Sequence, residues 1–570
     1  MGRPITNITI VGGGTAGWIA AAYLNQRLQW GPTVYRDVTI TVIESPQVGI
    51  IGVGEATVPT LKFTMKHLGI SEPEFMSRCD ATFKLGIWFD RWNANKKGDL
   101  IGFLHPFTGG KTIRGLNPGY AFKKYGIPGR ENVTDQDFVR TITAAREAYE
   151  NNQGPRAING PHYGGPMQYA YHIDAARLAD FLAEVCKKRG VKHIRDNVVD
   201  VKLNERGFIS SLQLQEHGDW PVELVVDCTG FRGLLINKAL GEPFISYNDH
   251  LLNDRAIPMQ VRHFDPERIP SVTGAIAMDA GWVWHIPLKR RVGAGYVFCS
   301  QFKSEDDAVR EFREFLGHAG EGLEPQPTIK MRVGRNRRSW VKNCVAIGLS
   351  SGFLEPLEST AIMTLELQSR WLLYCLPSTD FEEPLAEQYN QSVNRLYDEI
   401  RDFLGLHFSL SERKGPFWDA VRNDAKKSDA LQYHLDLWKY ALPAPSDPRS
   451  KQVYNHWSVL CVLMGKNFYK NATLADSEMV PMHMWQRYGV ENRAWKQPIL
   501  GRLAQHNRLI NHMHDQAVPG ESLRKKDTGD ESLFSDSEML STPAPIMAPP
   551  PGLRPAARGR IAVGSVKHSR

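Results

Sequence analysis

The chain predicts an α/β protein built on a doubly wound parallel sheet, with a β-rich insertion and a helical subdomain after it. Three observations carry this. Residues 6–11 (TNITIV) read as a short buried strand that runs into a glycine cluster and then a helix pattern, GWIAAAYLNQRL. Residues 38–44 (VTITVIE) read as a second strand, so the chain opens with a βαβ unit. From about residue 380 to 515 strand signals vanish and helical, aromatic segments take over. The expected division is 1–380, 381–515 and a tail, 516–570.

The elements follow in order. The segment 172–190 (HIDAARLADFLAEVCKKRG) predicts an amphipathic helix stopped by glycine. Residues 192–227 and 255–300 read as strands with short turns, and 307–318 and 361–375 as helices. The last fifty residues are rich in Pro, Ser and charge and poor in apolar side chains, so they are expected to be disordered.

Composition narrows the classes. The 570 residues are 42% hydrophobic and 23% charged, an ordinary soluble balance. The net charge of +7 is spread along the chain and draws no nucleic-acid footprint. Seven scattered cysteines without a CxxC pair argue against a disulfide framework and against a zinc site. The N-terminus lacks the charged and apolar regions of a signal peptide, and no apolar run is long enough to span a membrane. A cytoplasmic protein is expected.

Gly12-x-Gly14-x-x-Gly17 follows a strand and opens a helix. Glycines there allow a tight turn and close approach of a pyrophosphate, and the helix start supplies N–H groups. Glu44 ends the second strand, where a carboxylate can bind ribose hydroxyls. A dinucleotide site is therefore expected, with Ala16 inside its turn. Asp227-Cys228-Thr229-Gly230 and Ala346-Ile347-Gly348-Leu349-Ser350 each end a strand and resemble the later FAD-contact segments of flavin monooxygenases. The aspartate usual in the second segment is absent.

Four further segments resemble the flavin-dependent tryptophan and indole halogenases, over most of residues 5–375. GVGEATVP at 52–59 looks like the mobile strap beside the flavin. Ala81-Thr82-Phe83-Lys84 matches the segment with the family's lysine. Trp282-Val283-Trp284-His285-Ile286-Pro287 matches its W-x-W-x-I-P signature. Glu355-Pro356-Leu357-Glu358-Ser359-Thr360-Ala361 matches the segment with its glutamate. Alone, Lys84 reads as a surface side chain, the tryptophans as core and 355–361 as a capped helix start, with Ser359 or Thr360 as N-cap.

The resemblance implies an FAD domain of the glutathione-reductase-like, flavin monooxygenase type. It implies FAD used as FADH2, chloride or bromide as co-substrate, and a separate flavin reductase as partner. Lys84 would hold the oxidised halogen, as hydrogen-bonded hypohalous acid or as a haloamine, and its apolar neighbours would lower its pKa. Glu358 would hydrogen-bond the halogenating species or take the proton from the ring. The amides of Thr360 and Ala361 would bind halide at a helix start, where the family commonly has glycine in place of Ala361. Trp282 and Trp284, with Ile286 and Pro287, would keep the organic substrate away from the flavin. Cofactor contacts would come from Gly12, Gly14, Ala16, Gly17, Glu44, Gly54, Glu55, Ala56, Thr57, Val199, Gly348 and Leu349.

His105 and Phe107 match an H-x-F segment that clamps the indole. Family members that act on free tryptophan hold its backbone with a tyrosine pair and an acid upstream of a C-x-L-x-G segment. Here Cys461-Val462-Leu463-Met464-Gly465 is preceded by LPAPSDPRSKQVYNHW, where prolines and basic residues replace them. An indole without a charged backbone, or a larger indole or peptide-borne tryptophan, is therefore expected, with Tyr454 and Trp457 lining its pocket. No nucleic acid, membrane or metal is implied, and a homodimer is compatible. Two rivals stay open: a flavin hydroxylase, which needs open access from substrate to flavin, and a non-catalytic flavin-binding protein.

Overall fold

The computed structural model describes residues 2–30, 37–49, 54–94, 98–445, 447, 453–470, 472, 474 and 478–523. The first two residues of the 52–59 segment and the tail beyond 523 lie outside the described residues. At the centre is a six-stranded sheet in the order Trp340–Val341, Cys344–Ala346, Leu224–Asp227, Asn7–Val11, Thr39–Glu44, Lys192–Arg195. All its pairings are parallel except the hairpin at the first edge. A parallel sheet is covered on both faces, which is why ITIV and LVVD are unbroken apolar runs. Helices Thr15–Asn25, Ala175–Lys188 and Ala361–Tyr374 pack together on one face. A three-stranded sheet, Val198–Leu203, Ile209–Leu214 and Gly218–Pro221, shares the core on the other.

The β-rich insertion is a seven-stranded sheet in the order Ile329–Lys330, Arg255–Val261, Val292–Phe298, Gly281–Pro287, Thr273–Met278, Gly86–Ala94, Leu100–Pro106. A further small sheet sets Ala170–Ile173 between Glu55–Ala56 and Thr82–Lys84. Among the described residues no strand follows Phe353. Six helices do follow Tyr374: Glu383–Ser409, Pro416–Asn423, Asp429–Trp438, His456–Gly465, Met482–Leu500 and His506–Asp515. They share one hydrophobic cluster with the central sheet, from Ile5 to Met513.

Two expected boundaries shift. The helix expected from 172 begins at Ala175, because His172 and Ile173 are taken into the small sheet and the Asp174 carboxylate caps the amides of Ala176 and Arg177. Residues 516–523, expected within the tail, have a defined place in the fold. Residues through Leu523 are docked, with the amides of Gly520 and Ser522 donating to Glu74 and the Arg189 guanidinium to the Ser522 carbonyl.

Candidate active site

At the glycine loop, Gly12 has a φ of +121° and a side chain there would overlap the Cys228 carbonyl. At Gly17 it would overlap the carbonyl of Gly12. These two glycines let strand, loop and helix close on each other. Gly14 faces open space, with no atom within 4 Å of where a side chain would stand. An open cradle at a helix start, with Glu44 ending the next strand, fits the pyrophosphate and ribose of FAD. Glu44 is shared, however: His193 Nε2 lies 2.9 Å from its carboxylate. Gly348 (φ +78°) abuts Ala16, while the side chains of Leu349 and Val199 are exposed.

Lys84 ends the strand Thr82–Lys84 and is fully buried, so it is no surface lysine. Its Nζ donates to the Thr57 carbonyl at 2.9 Å and lies 5.3 Å from the centre of the Phe107 ring. Burial lowers its pKa to about 7, although Glu358 and Glu55 pull it upward. Two of its neighbours come from the 52–59 segment. Glu55 and Ala56 pair with Ile173 and His172, which anchors that part of the strap to the lysine's own sheet. Burial raises the Glu55 carboxyl to about 7.

Glu358 closes a single turn, Pro356–Glu358, and Ser359 follows in the left-handed region (φ +60°). That turn separates the glutamate from the helix Ala361–Tyr374 and stores strain next to it. Neither Ser359 nor Thr360 makes the side-chain cap expected of it. Thr360 occupies the cap position with helical backbone angles, and its side chain makes no hydrogen bond to the first-turn amides. The amides of Thr360 and Ala361 donate to no group among the described residues.

The Glu358 carboxylate sits between two histidines. His105 Nδ1 is 3.0 Å from Oε2, and His407 Nε2 is 2.7 Å from Oε1. Burial pushes this carboxyl up, but the two rings outweigh it and hold it at about 2. His407 is itself driven down to about 4 by burial, so its ring is neutral at pH 7. It stacks on Phe89 and stands edge-on to Phe403.

Trp282 and Trp284 point to one face of their strand, with ring centres 6.4 Å apart. Trp284 lies flat on Gly295 of the neighbouring strand, where any side chain would overlap its ring. Ile286 packs against Gly54, and the Pro287 carbonyl accepts from Thr82 Oγ1 at 2.6 Å. The signature strand thus supports both the strap and the lysine strand. Tyr454 stacks on Phe403 at 3.6 Å, and its buried hydroxyl has no partner among the described residues. Trp457, placed by the Asn455 cap of its helix, covers Gly109 and Gly110 just after Phe107.

The structure therefore gathers Lys84, Glu358, His105 and Phe107 at one place, with Thr57 and Glu55 beside the lysine. Tyr454 reaches the same group through Phe403. Sequence reasoning missed His407 and Phe403. Their one signal was the i, i+4 spacing of two aromatic rings on the helix Glu383–Ser409.

A doubly wound sheet with an open glycine cradle, in a chain that also buries a lysine and a histidine-clamped carboxylate, fits a flavin-dependent oxidoreductase. The comparisons make this specific. The family model for tryptophan halogenase matches residues 7–480. Tryptophan 6-halogenase SttH of Streptomyces toxytricini is 38% identical over 485 residues, covering 80% of this chain and 88% of that protein. The solved structure of Tar14, a tryptophan C-6 flavin-dependent halogenase (chlorinase) from taromycin biosynthesis, is 36% identical with a TM-score of 0.81, covering 89% of this chain and 99% of that one. MibH, a lanthipeptide tryptophan 5-halogenase, is 28% identical with a TM-score of 0.75, covering 92% and 96%. The chain belongs to the tryptophan halogenase family and is a flavin-dependent halogenase. No helix among the described residues is long and apolar enough to cross a membrane.

Proposed function

We propose that this enzyme halogenates an indole that does not carry the charged backbone of free tryptophan, by way of hypohalous acid held at Lys84. The observation that carries the reading is the buried Lys84 amine, tethered to Thr57 and facing Phe107, beside a carboxylate locked between His105 and His407. FAD, bound and reduced by a separate reductase, supplies with dioxygen the oxidising power that turns halide into hypohalous acid.

The chain's own residues do the rest. Unpaired amides of Thr360 and Ala361 hold chloride or bromide. Trp282 and Trp284 fill the space between flavin and organic substrate, which disfavours direct hydroxylation. Lys84 donates to the hypohalous oxygen and fixes the halogen before one ring carbon. Phe107 and His105 clamp the ring. Glu358 takes the proton that leaves the halogenated carbon. A protonated arene is a strong acid, so a carboxylate held at about 2 is base enough.

The choice of substrate rests on residues 442–457, a segment rich in prolines and basic side chains that holds one tyrosine, Tyr454, and no tyrosine pair. The unpartnered Tyr454 hydroxyl suits a neutral polar group better than an ammonium–carboxylate pair. The named relatives act on tryptophan, and MibH on a tryptophan of a lanthipeptide. The test offers indole, free tryptophan and a tryptophan-containing peptide separately, with FAD, a reductase, NADH and bromide. Products are read by mass spectrometry. A bromine isotope doublet, absent in Lys84→Ala, supports the chemistry. Faster reaction of free tryptophan than of the others overturns the substrate assignment. Gain of oxygen without halogen overturns the whole reading.

A further inference from the structure

Glu355 is three residues before Glu358, fully buried, and has no role in the steps above. Its Oε2 accepts from the Trp282 indole N–H at 2.7 Å and from Asn253 Nδ2 at 2.9 Å. One carboxyl group thus joins the tryptophan wall, the loop before the strand Arg255–Val261 and the segment that leads to Glu358. Two atoms of this contact are stranded. Glu355 Oε1 and Asn253 Oδ1 are both buried with no partner among the described residues. Both are acceptors if the glutamate is ionised, and two unpaired buried acceptors are costly. A single proton on Oε1 resolves both, because a carboxylic acid and a primary amide pair face to face through two hydrogen bonds.

We propose that Glu355 is a positioning residue that works as a neutral acid, closing a cyclic acid–amide pair with Asn253 and so holding Trp282 and the Glu358 loop in register. Among the described residues no cation pairs with Glu355. Asp254 and Arg255, beside Asn253, pair with each other, and Glu358 is held by its histidines. Cys299 is the titratable neighbour, and burial pushes its thiol up, which leaves it neutral. Burial likewise raises the Glu355 carboxyl to about 7, against the pull of Trp282 and Asn253.

Glutamine reproduces this pattern without a proton. Its N–H donates to Asn253 Oδ1, and its carbonyl accepts from Asn253 and Trp282. The experiment compares wild type, Glu355→Gln and Glu355→Ala, first as proteins without flavin. A folded carboxyl raised to about 7 keeps a proton that the unfolded chain releases near pH 4.5, so wild type loses stability between those values. Glu355→Gln does not. Its melting midpoint should overtake that of wild type from pH 5 to 7, by about 2–3 °C, and the gap should then level off. The infrared difference between the two proteins at pH 6 should show loss of a protonated carboxyl band. With flavin, reductase and halide added, Glu355→Gln should stay within about threefold of wild-type halogenation while Glu355→Ala loses about tenfold or more. The proposal is overturned if Glu355→Gln is the less stable protein at pH 8 and the gap closes in acid. Loss of carboxylate bands in place of the acid band also overturns it, as does activity as low as that of Glu355→Ala. The melting and infrared results are read without turnover, so they stand apart from the fate of the halogenase assignment.

Discussion

Replacing Lys84 with methionine should stabilise the protein while ending halogenation. The amine is fully buried, and its pKa is brought from 10.5 to about 7, chiefly by loss of solvation. In the unfolded chain the amine stays charged until about pH 10.5. Between those values the folded state binds fewer protons than the unfolded one, so stability rises with pH, and below pH 7 the full penalty applies. A drop of that size corresponds to on the order of 4–5 kcal/mol. Methionine has similar length and no charge, so it removes this penalty. It also leaves the Thr57 carbonyl without its donor, which costs about 1–2 kcal/mol. The balance is a gain of roughly 2–4 kcal/mol at pH 6.5 that shrinks toward zero or reverses near pH 10. Urea unfolding of the flavin-free proteins, followed by tryptophan fluorescence at pH 6.5, 8 and 9.5, measures it. A variant less stable than wild type at pH 6.5, or a gap that ignores pH, would refute the reasoning. Loss of the halogenated product in the same preparation shows that the strained amine serves function and not folding.

Glu358→Gln should lower turnover by about 10²-fold or more, with FAD binding kept, as read by product mass spectrometry and flavin fluorescence. The carboxylate's stabilising share is present above the ordinary carboxylate range and is lost as pH falls toward 2, so this variant should also show a shallower acid unfolding curve. His105→Asn keeps a side-chain N–H for the Glu358 carboxylate and should retain about tenfold more activity than His105→Phe, in steady-state assays at equal flavin loading. Gly17→Ala places a methyl group on the Gly12 carbonyl, and flavin titration should find binding reduced at least about tenfold.

Much of the frame was legible because it is local. ITIV and LVVD are buried strands of a parallel sheet, and the glycines before Trp18 are those the turn demands. The pairing partners were not legible, because they join segments far apart. His105 and Glu358 are 253 residues apart, and the i, i+4 spacing of Phe403 and His407 puts two rings on one helix face without saying that a carboxylate from residue 358 meets them. Asn253 looks like any loop asparagine until it is found on Glu355. The helix start at 175 was misread for a related reason: His172 and Ile173 fit the helical pattern, but the small sheet claims them. Lys84 was found through resemblance alone, since a single lysine between apolar residues carries no spacing that separates a buried amine from an exposed one.

The buried charges suggest how halide uptake depends on pH. Glu358 is ionised at neutral pH because two ring nitrogens face it, and Lys84 offsets its charge while protonated. Among the described residues neither Glu55 nor Glu355 has a histidine or a salt bridge to a cation, and burial raises both to about 7. Below pH 7 the site is then close to neutral, and an arriving anion meets only the amides of Thr360 and Ala361. As pH rises through 7 the lysine loses a positive charge and the two acids gain negative ones. All three changes act in the same direction, in a medium where unit charges interact strongly. Halide affinity should therefore fall by about tenfold or more between pH 6 and pH 8, more steeply than loss of one proton allows. Bromide binding to the flavin-free protein, followed by broadening of the bromine nuclear resonance, measures this directly. Lys84→Met should flatten the curve and Glu355→Gln should make it shallower. Affinity that is level or rises over this range would show that the halide does not sit within reach of these groups, and that the helix start at Ala361 is not its site.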